Sequence, residues 1–208
     1  MKTTTLNRLS AGAAFIFAIC CILWIVLSYL ILPVAEAQGD YSLLVTTPGW
    51  TLVSFTGLLA SIFGIFTVFG IFHANREKGG WLLFTGIVLL FLGLALEMAS
   101  LTWEVFIWPV VCASEDHISF VKDALFIESI QFKSFIVSLL GLLFLGNLVT
   151  AIALFRIKKY GIIAPVLIMA GILLFVAGNF ISMHVSSAGL CIYAVAFVMI
   201  GLRLRREE

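Results

Sequence analysis

Apolar residues in this chain run in long uninterrupted blocks, and polar residues are confined to the short gaps between them. A helix rising about 1.5 Å per residue needs roughly 20 apolar residues to cross a hydrocarbon layer about 30 Å thick. Six stretches meet or approach that length, at residues 11–32, 50–72, 81–108, 135–155, 162–183 and 188–204. The last is the shortest and relies on Arg203, Arg205 and Arg206 reaching back to the interface. The pattern predicts an all-α, polytopic membrane protein. It would be one bundle of six transmembrane helices, a single transmembrane domain over residues 1–208, with an external loop at 109–134. Within that loop Ile118, Val121 and Leu125 recur at helical spacing, with Lys122 and Asp123 on another face. Ser114 or Asp116 is placed to cap a short amphipathic helix there, either a connector on the outer surface or a lid beside Glu104.

Charge placement assigns a direction to the six segments. Lys2, Arg8, Arg76, Lys78, Arg156, Lys158, Lys159, Arg203, Arg205 and Arg206 are ten of the twelve basic residues and share one side of a six-span chain. Lys122 and Lys133 fall opposite, together with Glu36, Asp40, Glu115, Asp116, Asp123 and Glu128. The positive-inside rule then puts both termini in the cytoplasm of a multi-pass protein of the cell membrane. Ala35-Glu36-Ala37 resembles a secretory cleavage site, but the apolar run before it exceeds the roughly 7–15 residues of a signal core. A retained anchor is therefore expected.

Composition closes other routes. Apolar residues make up 62% of the chain and charged ones 11%, against about 45–50% and about 25% in soluble domains. With a mean hydropathy of +1.19, a soluble enzyme, a disordered chain and a nucleic-acid binder are all disfavoured. No G-x-S-x-G, H-E-x-x-H, C-x-x-C or phosphate-binding glycine loop occurs. His73, His117 and His184 fall at unmatched depths, which argues against a transmembrane bis-histidine haem. No cofactor is expected.

The segment at residues 86–93 resembles that at 171–178, and Thr67 and Phe72 have counterparts in Thr150 and Phe155. A parallel repeat of helices 2–3 and 4–5 would account for this. Gly86 and Gly93, like Gly171 and Gly178, are seven residues apart, which is close to two helical turns. Each pair thus marks a face where another helix approaches closely. Gly57, Ser61 and Gly64 suggest a similar face in span two.

Extending the first of these stripes reaches Glu97, Ser100, Glu104 and Trp108. A carboxyl group past the middle of a span is costly when ionised and turns toward the bundle or a hydrated cavity. Glu97 is therefore the expected proton- or cation-binding group, with Glu104 at the outer mouth beside a belt of Trp103 and Trp108. Asn147, Asn179 and Ser182 are candidate hydrogen-bonding partners, and His184 is expected at the outer interface. Glu104, Cys112, His117 and His184 have metal-ligand chemistry without any recognised spacing, so no metal is assigned. Cys20 and Cys21 read as small apolar residues, while Cys112 and Cys191 both lie toward the outer side, where a bridge between them is conceivable.

The expectation is a small transporter or solute-binding protein with an outward-facing polar pocket around Glu97, taking a small polar solute or cation. Its partners would be the lipid bilayer and either a second copy or another membrane protein. A scaffold or sensor subunit acting through partner helices is the alternative, favoured by how few polar residues lie inside spans. An intramembrane enzyme acting on a lipid or quinone stands third, for want of a nucleophile–base pair.

Overall fold

A computed structural model describes residues 3–34, 40–114, 117, 118, 121 and 129–206. The Ala35-Glu36-Ala37 segment and most of the proposed external helix, including Asp116, Lys122, Asp123 and Leu125, lie outside the described residues. The described chain is 90% helical without strands. Its elements are α1 (Thr3–Ile31), α2 (Tyr41–Val45), α3 (Trp50–Phe106), α4 (Trp108–Cys112), α5 (Ile130–Ile157), α6 (Ile163–Ile181) and α7 (Met183–Arg205). Five helices are long and apolar enough to cross a membrane, the longest being the 63-residue run Trp50–Cys112.

That longest helix is bent back on itself. Gly80 has φ 54° and ψ −156°, a region open only to glycine, and splits α3 into two arms. Side chains from the two sides of the turn meet: Phe72 with Phe84 at 6.0 Å and Phe69 with Phe91 at 5.5 Å between ring centres. Trp50 Nε1 donates to the Glu104 carbonyl at 2.9 Å. The arms are therefore antiparallel neighbours. Pro109 ends the second arm: it has no N–H to offer and its ring crowds the carbonyl four residues back, so the chain breaks at Ile107.

The helices close into a ring. α1 packs on α3 and α7, α3 on α5, α5 on α6, and α6 on α7. Glycines make the contacts close, as the stripes predicted. A Cβ at Gly86 or Gly93 would strike the backbone of α5 at Thr150 or Leu143, and one at Gly171 or Gly178 would strike α7 at Tyr193 or Ser186. Gly57 and Gly64 sit against α1 and the second arm, through Trp24 and Leu101 and through Phe17 and Leu94.

The two ends of the ring differ in chemistry. At one end Lys159 Nζ donates to the Ala74 carbonyl at 3.0 Å and Asn75 Nδ2 to the Tyr160 hydroxyl at 2.8 Å, so the Gly80 turn and the α5–α6 link share that end. Arg8 and Arg205 line one groove there. The half of the ring nearer this end is densely filled by Leu83, Leu154, Ile168, Ile200 and Leu204, each 1% exposed or less. At the other end Val45, Trp50, Trp108, Cys112 and Val121 form a separate apolar cap. Around the outside Leu52, Phe66, Val137, Leu145, Leu173 and Val195 are exposed, an apolar girdle suited to acyl chains rather than water.

Three local expectations change. Trp108 is only 6% exposed and belongs to the cap, not to an aromatic belt, whereas Trp103 is exposed as expected. The last span starts at Met183 rather than residue 188, because Ser182 caps it by accepting from Val185 N–H at 3.4 Å. Ser186 and Ser187, polar enough to look like a loop, are buried within that helix, with Ser186 against Gly178. Val121, read as one apolar position of a surface helix, is buried in the cap.

Candidate cation site within the helix ring

A cavity of about 90 Å³ lies inside the ring, in the half nearer the tryptophan-rich cap. Every long helix, and each arm of α3, lends it a wall: Phe17, Cys21 and Trp24 from α1, Ser61 and Glu97 from the two arms, Asn147 from α5, Phe175 from α6 and Tyr193 from α7. Its volume suits several water molecules or a small organic ion, well below the roughly 300–1,000 Å³ of sites for drug-sized ligands.

Glu97 reaches this space because it stands one turn beyond Gly93, on the arm that Gly93 presses against α5. It is half-buried, and among the described residues its carboxyl has no hydrogen-bond or ion-pair partner. Below it the floor is polar at one point. Asn147, 1% exposed, donates from Nδ2 to the Leu143 carbonyl at 2.8 Å and accepts from the Tyr193 hydroxyl at 2.6 Å. Tyr193 also packs edge-on against Phe17 and at a tilt against Phe197, with ring centres 5.8 and 4.7 Å away. Phe17 and Tyr193 line the cavity, and Phe197 is buried beside them.

The expected site residues divide into two groups. Glu97 and Asn147 share the cavity. Ser100, Glu104 and Asn179 instead line a wider groove toward the cap, among Tyr41, Trp103, Trp108, Phe132 and Phe135. Glu104 Oε2 accepts from Ser54 Oγ at 3.1 Å, which ties the two arms of α3 together. Asn179 is exposed and donates to the Phe175 carbonyl of its own helix. Ser182 is a helix cap and joins neither group. His184 stacks on Tyr29, its Nδ1 2.8 Å from the tyrosine hydroxyl, and pins α7 to α1 at the cap end.

Among the described residues no three His, Cys, Asp or Glu side chains converge as metal ligands. Cys112 is buried in the apolar cap, while His184 pairs with Tyr29. All four cysteines, Cys112 and Cys191 included, are free thiols. Cys21, read as filler, forms part of the cavity wall.

Tyr193 is the residue that pattern reading overlooked. A phenol in the middle of an apolar span must find a hydrogen-bond partner, because lipid offers none. That requirement was visible in the sequence; the identity of Asn147 as partner was not. Removing one member of the pair strands the other. Asn147→Leu is expected to lower stability by about 1–3 kcal/mol, and Asn147→Leu with Tyr193→Phe by clearly less than the sum of the two single changes. A double-mutant cycle of SDS-induced unfolding checks this; additive losses would deny the pairing.

Comparison with protein-family models, with curated protein sequences and with solved structures returned no match.

Proposed function

We propose that this chain is a six-span protein of the cell membrane that binds a small cation, a protonated amine or a proton in its central cavity, as a solute-binding protein or transporter. The observation that carries this reading is Glu97, whose carboxyl has no hydrogen-bond or ion-pair partner among the described residues and which lines a partly open cavity walled by Phe17, Trp24, Phe175 and Tyr193. A carboxylate in such a place gains most from a cation, and aromatic faces attract the same charge.

The two arms of α3 count as separate crossings, giving six in one domain, and the basic end of the ring faces the cytoplasm with both termini. The cavity then lies in the outer half, while the filled inner half closes it from the cytoplasm, an outward-facing arrangement. Glu104, two turns from Glu97, would draw cations toward the mouth. The parallel repeat fits one further detail: Gly86 and Gly93 abut the helix that follows theirs, and so do Gly171 and Gly178.

The test is proton movement in proteoliposomes carrying a pH-sensitive dye, driven by imposed gradients of potassium or of methylated ammonium ions. Cation-driven proton flux, or saturable binding of one of these ions, should fall at least tenfold in Glu97→Gln and be partly retained in Glu97→Asp. Equal responses from the wild type and Glu97→Gln would remove Glu97 from the site.

A further inference from the structure

The walls of the cavity at Glu97 spend most of their hydrogen-bonding capacity on one another. Every residue lining it lies within a helix, so its carbonyl already accepts from the N–H four residues on. Four of these carbonyls accept a second bond, from a side chain one turn further along. Ser28 Oγ donates to Trp24 at 2.7 Å, Ser61 Oγ to Gly57 at 3.3 Å, Asn147 Nδ2 to Leu143 at 2.8 Å and Asn179 Nδ2 to Phe175 at 2.8 Å. The Tyr193 hydroxyl is engaged by Asn147 Oδ1 at 2.6 Å. Glu97 differs. Neither of its oxygens has a partner among the described residues, and it is half-buried, so it keeps accessible surface.

That inventory discriminates between ligands. An anion would face a carboxylate and no basic side chain. A bare alkali ion needs a ring of oxygens in place of its water shell. Here the wall carbonyls are already bonded, and much of the remaining lining is carbon, from Ala60, Leu94, Leu101, Ile172 and Leu190. A primary ammonium brings three N–H donors, for which Glu97 alone has every oxygen unengaged. A quaternary ammonium needs no acceptor, because its charge sits inside a shell of methyl groups. Apolar walls suit that shell, and aromatic faces attract the charge within it. Phe17, Trp24, Phe175 and Tyr193 bring aromatic side chains to the cavity from α1, α6 and α7.

We infer that the cavity is a quaternary-ammonium site, which selects methylated ammonium ions against alkali cations. Glu97 balances the charge without a hydrogen bond, and the aromatic side chains receive the methyl groups. The volume of about 90 Å³ restricts the ligand to a small head group such as tetramethylammonium. The inference rests on the reading of this cavity as a cation site and goes beyond it by naming the class of cation.

The experiment uses the full chain purified in a neutral maltoside detergent, whose head group carries no ammonium. Equilibrium binding of radiolabelled tetramethylammonium and of radiolabelled rubidium, a close analogue of potassium, is measured separately. Tetramethylammonium should bind saturably and at least tenfold more tightly than rubidium, with unlabelled methylammonium competing at intermediate strength. Uncharged tert-butanol, similar in shape, should not compete. Glu97→Gln should weaken tetramethylammonium binding at least tenfold, and Glu97→Asp should retain part of it. Trp24→Leu keeps an apolar wall but removes the ring, so it should weaken tetramethylammonium by roughly fivefold and leave rubidium unchanged. Rubidium binding that equals or exceeds tetramethylammonium and is lost in Glu97→Gln overturns the quaternary-ammonium assignment while the cation site itself stands. Competition by tert-butanol as strong as by unlabelled tetramethylammonium also overturns the assignment, since shape alone would then be recognised. Saturable binding of neither ion overturns both readings. The ratio of the two ions in the wild type decides the matter without any variant, so a misfolded mutant does not protect the inference.

Discussion

Gly146→Ala should destabilise the protein by about 2–3 kcal/mol, the upper part of the usual range for overpacking, although alanine is the better helix former. The reason is backbone proximity. A Cβ at Gly146 would lie 2.6 Å from Leu90 Cα and 2.9 Å from the Leu89 carbonyl carbon, and neither can turn aside as a flexible side chain would. To admit one methyl group, α5 and the second arm of α3 must separate, and every contact along that crossing loosens with them. Gly141 supplies the control on the same helix, because a Cβ there meets nothing within 4 Å. Gly141→Ala is expected to be neutral or stabilising by up to about 1 kcal/mol. The midpoint of SDS-induced unfolding in mixed micelles should therefore fall for Gly146→Ala and hold level or rise for Gly141→Ala. If both variants move the same way, helix propensity rather than close approach governs α5.

Gly80→Ala should lose about 1–3 kcal/mol for a different reason. Space is not limiting, since a Cβ at Gly80 would meet nothing within 4 Å. The backbone is the constraint: φ 54° with ψ −156° is forbidden to an L-residue, while its mirror image is ordinary extended backbone. D-alanine introduced at position 80 by semisynthesis should therefore be tolerated where L-alanine is not. The same SDS titration reads both variants. Equal stability of the two stereoisomers would mean that the arms of α3 do not reverse through this conformation.

These two glycines show how unevenly the structure was legible in the sequence. The stripe of Gly86 and Gly93 could be read as a packing face, because spacing near two helical turns is a property of any helix. Gly146 lies on no such pair, and its partner is 56 residues earlier in the chain, so only the assembled ring reveals why it is glycine. Gly79 and Gly80 mark a break in hydropathy, yet nothing in their neighbours specifies the reversal's dihedral angles. Ser186 and Ser187 misled in the other direction. Read singly they are polar, but buried against a glycine face they are simply small.

The candidate site divides along the same line. Glu97 is identifiable from sequence because an ionisable group deep in a span is expensive wherever it points. Asn147 is identifiable for the same reason, as is the need of Tyr193 for a partner. That Asn147 meets Tyr193, that Asn179 turns to its own helix, and that Glu104 belongs to a separate groove depend on which helices become neighbours. Neighbour choice rests on many small steric fits spread over distant residues.

The sequence by itself determined that this is a helical chain with apolar segments long enough to cross a membrane, and where those segments run, since both follow from local transfer energies and helical period. Only the tertiary structure decided that the segments close into a ring and that Glu97 shares a cavity with Asn147, while Glu104 and Asn179 line another groove and Ser182 caps a helix. Those outcomes come from packing between residues far apart in the chain, where no local pattern carries the information.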